Sequence, residues 1–103
     1  MKEFYERVYE IAAKIPKGKV ITYGDIARAI GSPKSARIVG YAMRSIPSKA
    51  QIPAHRVVNR LGEMAPSHVF GSQELQRDIL ESEGVIFKED GTIDMEKCRW
   101  NMK

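Results

Sequence analysis

The sequence of 103 residues predicts one small domain, mostly α with a little β. Three observations carry that expectation. Apolar residues recur three and four apart along several stretches, which is the stripe of an amphipathic helix. Glycine and proline close those stretches at lengths suited to short helices. One stretch, residues 85–94, alternates instead around Asp90-Gly91, which is a hairpin signal.

Each element follows in order. Phe4, Val8, Ile11 and Ile15, spaced 4, 3 and 4, define a first helix that ends at Pro16 and Gly18. "KVITY" is a short β-prone link. Thr22 with Asp25 three residues on is a weak capping box, so a helix from Tyr23 to Ile30 follows and stops at Gly31. Ser32 is the expected cap of the next helix. Pro33 suits its first position, where a missing N–H costs nothing. That helix runs to about Arg44 or Ser45, ahead of Pro47. A helix, a short turn with glycine and a basic helix over about 22–45 form the helix-turn-helix pattern. Ala36, Val39 and Met43 give the second helix an inner face, and Lys34, Arg37 and Arg44 a positive outer side. "IPAHRVV" reads as a tight turn, 53–57, entering a short buried strand. "RLGEMAPSHVFG" reads as a loop. A helix from Ser72 to Glu83 is capped by Ser72 and closed by Gly84. The hairpin and tail, about 85–103, fold back onto the core through Trp100.

Composition excludes several classes. An apolar fraction of 43% argues against wholesale disorder. No apolar run reaches membrane-spanning length, and acids inside the first helical pattern exclude a secretory signal, so an intracellular, cytoplasmic location is expected. The lone cysteine, Cys98, cannot form an internal disulfide. Two histidines and one cysteine without a CxxC pair argue against a structural zinc, and no metal or cofactor is expected. Charge is segregated. Residues 14–60 hold ten Lys/Arg and one acid, Asp25, a net of +9, while residues 61–103 hold five Lys/Arg and nine acids. A basic stretch of this kind suggests a polyanionic partner, most often nucleic acid, with a solvated lysine-rich surface as the alternative.

"KVITYGDIARAIGSPKSARIVGYAMR", then "IPAHRVV", then "ESEGV", resemble the C-terminal, DNA-binding and active-site domain of the O6-alkylguanine-DNA alkyltransferases. The order and spacing hold over residues 4 to about 87. The resemblance implies a winged-helix-like domain that enters the minor groove of DNA. In those enzymes the residue corresponding to position 54 is the cysteine that accepts the alkyl group, and here it is Ala54. That departure, and the tail reaching Trp100, resemble the alkyltransferase-like proteins, which lack the acceptor. His55 and Glu83 hold the positions of the histidine and glutamate that would activate the cysteine. With Ala54 beside them they have nothing to activate, and they read here as a buried polar pair bracing the turn.

The resemblance implies that DNA chemistry persists where alkyl chemistry does not. Tyr23 would crowd the phosphate 3′ to the target and drive its rotation. Arg37 would enter the stack and pair with the orphaned base. Lys34, Ser35 and Arg44 would contact phosphates, and the small Ala36 and Gly40 would let the helix lie close to DNA. Arg56 more naturally bonds backbone carbonyls than DNA. A pocket for the flipped base is expected between Tyr23, Ala54, the Val57-Val58 strand and the 62–72 loop. Which of Met64, Ser67, His68 or Phe70 meets the base stays open. Ile46 stands before Pro47 where the enzymes have an asparagine that ties the turn to the helix-turn-helix, so the joint is either looser or apolar.

The whole chain, 1–103, is thus expected to be a single DNA-binding domain and a monomer without membrane contact. It would bind O6-alkylguanine in duplex DNA, flip it, transfer nothing, and direct it to nucleotide excision repair through a UvrA-type damage-recognition protein, in association with the nucleoid. Two rivals remain: a divergent alkyltransferase using Cys98, and a sequence-specific helix-turn-helix regulator.

Overall fold

The computed structural model describes residues 2–47, 49–65 and 72–102. In chain order they form α1 (Lys2–Ala12), β1 (Ile21–Thr22), α2 (Tyr23–Ile30), α3 (Ala36–Arg44), a 3-10 turn (Ala54–Arg56), β2 (Val57–Val58), α4 (Gln73–Ser82) and a short α5 (Met95–Cys98). The mostly helical expectation holds. The β content is one parallel pair, Ile21 opposite Val57 and Thr22 opposite Val58.

Two apolar clusters meet at that pair. In the first, α1, α2 and α3 pack on one another around Val8, Ala12, Ile21, Ile26, Val39, Ala42 and Val57. In the second, Val20, Val58, Leu80, Val85, Ile93 and Cys98 join the second half of the chain to the strands. Adjacent residues of a strand point to opposite faces, so Val57 goes to one cluster and Val58 to the other. The tail returns to the strands as expected. Val20 N–H donates to the Cys98 carbonyl at 2.9 Å, Trp100 N–H donates to the Val20 carbonyl at 2.7 Å, and the Trp100 ring packs on the first cluster.

α1 stops at Ala12, and the last residue of its stripe, Ile15, is buried from the turn that follows. Tyr9 ties α1 to α3 by donating its hydroxyl to the Ala42 carbonyl at 2.8 Å. α2 has both of its expected ends. Thr22 and Asp25 make the full reciprocal capping box, and Gly31, at φ 89°, closes the helix in the left-handed region.

The start of α3 differs from the sequence expectation. Ser32 does not cap it and Pro33 is not its first residue. The Ser32 N–H donates to the Ala27 carbonyl at 2.9 Å, completing the closure of α2, and its hydroxyl bonds the Ser35 hydroxyl at 2.6 Å. With Ser32 engaged in ending one helix, the next begins at Ala36. α4 matches expectation: Ser72 accepts from the Leu75 N–H at 2.9 Å, and Gly84 follows the helix at φ 95°.

The 85–94 hairpin forms, but as a single antiparallel bridge between Phe87 and Ile93. The Lys88 N–H donates to the Thr92 carbonyl at 2.7 Å and the Asp94 N–H to the Ile86 carbonyl at 2.8 Å on either side of that bridge, while the outward-pointing Ile93 N–H donates to the Gly62 carbonyl at 2.9 Å. Gly62 cannot be replaced freely: it sits at φ 76°, and a Cβ there would lie 2.9 Å from the Ile93 carbonyl oxygen. Among the described residues no helix is long and apolar enough to cross a membrane.

Candidate nucleic-acid interface and lesion pocket

The capping box places Tyr23 as the first residue of α2. Thr22 Oγ1 accepts from the Asp25 N–H at 3.0 Å, and the Thr22 N–H donates to Asp25 Oδ2 at 3.2 Å. Tyr23 is half-buried against the first cluster. Burial raises its phenol pKa, and the nearby Arg44 guanidinium pulls it the other way. Tyr23 and the end of α3 therefore share one locality.

α3 divides cleanly into two faces. Val39, Ala42 and Met43 are buried. Arg37, Gly40, Tyr41 and Arg44, at i, i+3, i+4 and i+7, share the other side, where Arg37, Tyr41 and Arg44 are exposed. The Arg44 guanidinium lies over the Tyr41 ring, 4.9 Å from its centroid. Lys34 is exposed before the helix, and Ser35 and Ala36 are half-buried at its start. Ala36 thus begins α3 at its flank, outside the buried set in which the sequence reading placed it. A Cβ at Gly40 would meet nothing within 4 Å.

The second group surrounds the 3-10 turn. Ala54 opens it and packs on the first cluster, as do Tyr23 and Ile46, with Val57 inside that cluster. Ile46 therefore joins the turn region to the helical core by apolar contact. Behind Ala54, His55 Nε2 lies 3.0 Å from each Glu83 carboxylate oxygen. Arg56 donates to the same carboxylate from Nε at 3.0 Å and from Nη2 at 2.7 Å, and its Nη1 donates to the Ile15 carbonyl at 2.8 Å. The Arg56 hydrogen bonds, with His55 adding to them against the cost of burial, hold the Glu83 carboxyl below its usual range. The group is a fork of two side chains on one carboxylate, and it pins the turn to the end of α4.

Three participants carry no clear sequence signal. Gln76, fully buried in α4, donates from Nε2 to the His55 carbonyl at 3.0 Å and accepts from the Ala65 N–H at 2.8 Å. Its one clue is a place on the same helix face as Leu80 and Glu83. Arg99 comes from the tail, 74 residues from Asp25, and donates to both its carboxylate oxygens. Arg28 also contacts Asp25 from within α2. Burial alone would raise the Asp25 pKa, but the bonds from Arg99 and Thr22 outweigh it and bring it to about 2.

A pocket of about 290 Å3 opens beside Tyr23 and Ala36. Ala54 is not among the residues that line this pocket. Ser67, His68 and Phe70, expected near the base, lie outside the described residues, and Met64 packs on the second cluster. Val58, the other expected pocket residue, faces that second cluster too. So does Cys98, which is buried there and accepts through Sγ from the Ile86 N–H at 3.4 Å. Among the described residues no group of three or more His, Cys, Asp and Glu could hold a metal ion.

Comparison with known proteins agrees with this geometry. The family model for the DNA-binding domain of 6-O-methylguanine DNA methyltransferase matches residues 3–85. A DNA base-flipping protein of Escherichia coli (strain K12) is 44% identical over 98 residues, covering 95% of this chain and 74% of that one. Alkyltransferase-like protein 1 of Schizosaccharomyces pombe is 45% identical over 85 residues, 82% of this chain and 79% of that one. A crystal structure of S. pombe Atl1 with damaged DNA containing O6-carboxymethylguanine superimposes with a TM-score of 0.83 at 38% identity, over 98% of this chain and 97% of the other.

Proposed function

This chain belongs to the family of the 6-O-methylguanine DNA methyltransferase DNA-binding domain, and on that premise we propose that it is a non-enzymatic sensor of alkylated DNA. It binds duplex DNA through α3 in the minor groove, flips O6-alkylguanine out of the stack and holds it without transferring the alkyl group. The observation that carries this reading is Ala54. It opens the 3-10 turn directly ahead of a hydrogen-bonded His55–Glu83 pair, at the position that the family resemblance gives to the acceptor cysteine. A methyl group cannot displace an alkyl carbon, so binding is reversible and the protein is not consumed.

Several features support the DNA-binding half. Arg37, Gly40 and Arg44 share the outward side of α3, and the described residues give no steric reason for glycine at 40. That smallness suits close approach by a groove wall. Exposed Arg37 is free to enter the stack, Tyr23 at the start of α2 is placed to crowd a phosphate, and Lys34 and Ser35 are available for backbone contacts. The flipped base sits against Tyr23, Ala54 and Val57, which the structure gathers at one cluster.

A chain with no acceptor cannot itself restore guanine. We therefore place it upstream of nucleotide excision repair, handing the bound lesion to a UvrA-type recognition protein, and acting as a monomer at the nucleoid. The test is a pair of affinities for one duplex carrying guanine or O6-methylguanine, at one fixed salt concentration. Wild-type protein binds the lesion duplex more tightly, and Arg37→Ala makes the two equal. Equal wild-type affinities would remove the sensor reading and favour an ordinary DNA-binding regulator.

A further inference from the structure

Three arginines from distant parts of the chain line the pocket beside Tyr23: Arg28 from α2, Arg60 from the turn after β2, and Arg99 from the tail. No acidic side chain is among the residues lining it. Asp25, the one acid of the basic stretch 14–60, is buried outside that lining, and its carboxylate receives Arg28 and Arg99. Those two guanidiniums keep half-exposed side chains, 56% and 49%, so the pairing orients them without covering them.

Arg60 completes the ring. It makes no ion pair or hydrogen bond through its side chain among the described residues, and it is exposed. Its backbone is nonetheless fixed. Asn59 Oδ1 accepts from the Leu61 and Glu63 N–H groups at 3.0 Å each, and the Gly62 N–H donates to the Asn59 carbonyl at 3.0 Å. A long cation held on a rigid turn, over a pocket already carrying two more, has no ion-pair partner among the described residues, and Asp94 and Glu96 border it only from the pocket on its other side.

We propose that this pocket is a phosphate subsite, in which Arg28, Arg60 and Arg99 together grip one backbone phosphodiester of bound DNA. Guanidiniums suit the task because their planar forks donate to two phosphate oxygens at once. At about 290 Å3 the pocket has room for a phosphate group. Tyr23 forms part of its wall, so the gripped phosphate lies next to the nucleotide that Tyr23 turns. The tail thereby contributes Arg99 to holding DNA. This inference rests on the DNA-binding reading above and extends it to residues outside the helix-turn-helix.

The test is a salt series on Arg60→Gln, on Arg28→Gln, and on Arg7→Gln as a control on the exposed side of α1. Each is measured against both duplexes. The subsite as a whole neutralises one phosphate, so losing one of its three cations lowers the slope of log K against log salt by at most about 0.9. Arg60→Gln should show that drop and weaken binding to guanine and O6-methylguanine duplexes by the same factor, with an unchanged melting temperature and the lesion preference intact. Arg28→Gln should weaken binding and lower the slope in the same way, with a small fall in melting temperature from its lost pairing with Asp25, and Arg7→Gln should do neither. Slopes equal to wild type in both pocket variants would overturn the proposal, whether or not the lesion preference holds. Loss of the lesion preference in wild type, with the slope drop still seen, would instead remove the base-flipping reading and leave the subsite standing. Saturable binding of inorganic phosphate by the protein, with no slope change on DNA, would assign the pocket to free phosphate and also overturn it.

Discussion

Two carboxylates in this molecule are each held by two nitrogen-bearing side chains, and the pairs differ in one respect. Glu83 receives His55 and Arg56, and Asp25 receives Arg28 and Arg99. Both acids are about equally sheltered, with 10% of each side chain exposed. The partners are not. His55 and Arg56 are 15% exposed, whereas Arg28 and Arg99 are 56% and 49% exposed. A carboxylate whose partners are buried locks a turn. One whose partners reach solvent presents them to something else. The first group braces the turn that begins at Ala54, and on the proposed reading the second turns its guanidiniums toward DNA.

The largest effect is expected from breaking the buried fork. Glu83→Ala strands the Arg56 guanidinium and His55 inside the fold, at a cost of about 3–5 kcal/mol in urea unfolding. A cost below about 1 kcal/mol would mean that the fork is solvated and does not brace the turn. Asp25→Ala is expected to be milder, about 1–2 kcal/mol. It removes a cap and two pairings whose cations can return to water. Glu81→Ala, two residues from Glu83 but in an exposed pair with Arg77 at 3.3 Å, should cost under about 0.5 kcal/mol. The ordering itself is the claim: burial of the cation, not the number of hydrogen bonds, sets the cost.

Acid sharpens the same contrast. The Asp25 carboxyl titrates at about 2 in the fold, below its usual 3.8. A depressed carboxyl lends stability that is complete above its unfolded pKa and is lost as pH falls through its folded one. Stability should therefore decline as pH drops from 3.8 toward about 2, and Asp25→Asn should flatten that part of a urea-midpoint series. Glu83, also depressed, contributes with the same sign. A variant series that parallels wild type through this window would show that Asp25 is not ionised and paired in the fold.

The contrast also separates what is legible in the sequence from what is not. α2 is legible at both ends because Thr22, Asp25 and Gly31 are local signals that act on their own neighbours. The start of α3 is not, because Ser32 carries a cap signal and is engaged in closing α2. The His55–Glu83 pair is legible through the family resemblance. The bond of Arg56 to a backbone carbonyl is legible too, and Ile15 supplies that carbonyl, but its fork on Glu83, 27 residues away, carries no local signal. Arg99 is hidden for the same reason, and Gln76 because a polar residue on an apolar stripe has no pattern that announces its partners. Strand alternation alone separates Val57 from Val58, a distinction that listing both as pocket residues overlooks.

The measurement that bears most directly on the central claim is the intact mass of the protein. It would be recovered from stoichiometric incubation with a duplex carrying O6-methylguanine, alongside an assay of the lesion remaining in the DNA. An unchanged mass with the lesion still present, in protein that bound the lesion duplex preferentially, is the predicted result. A gain of one methyl group with loss of the lesion would contradict it, and would mean that Cys98 or another side chain performs the transfer that Ala54 cannot.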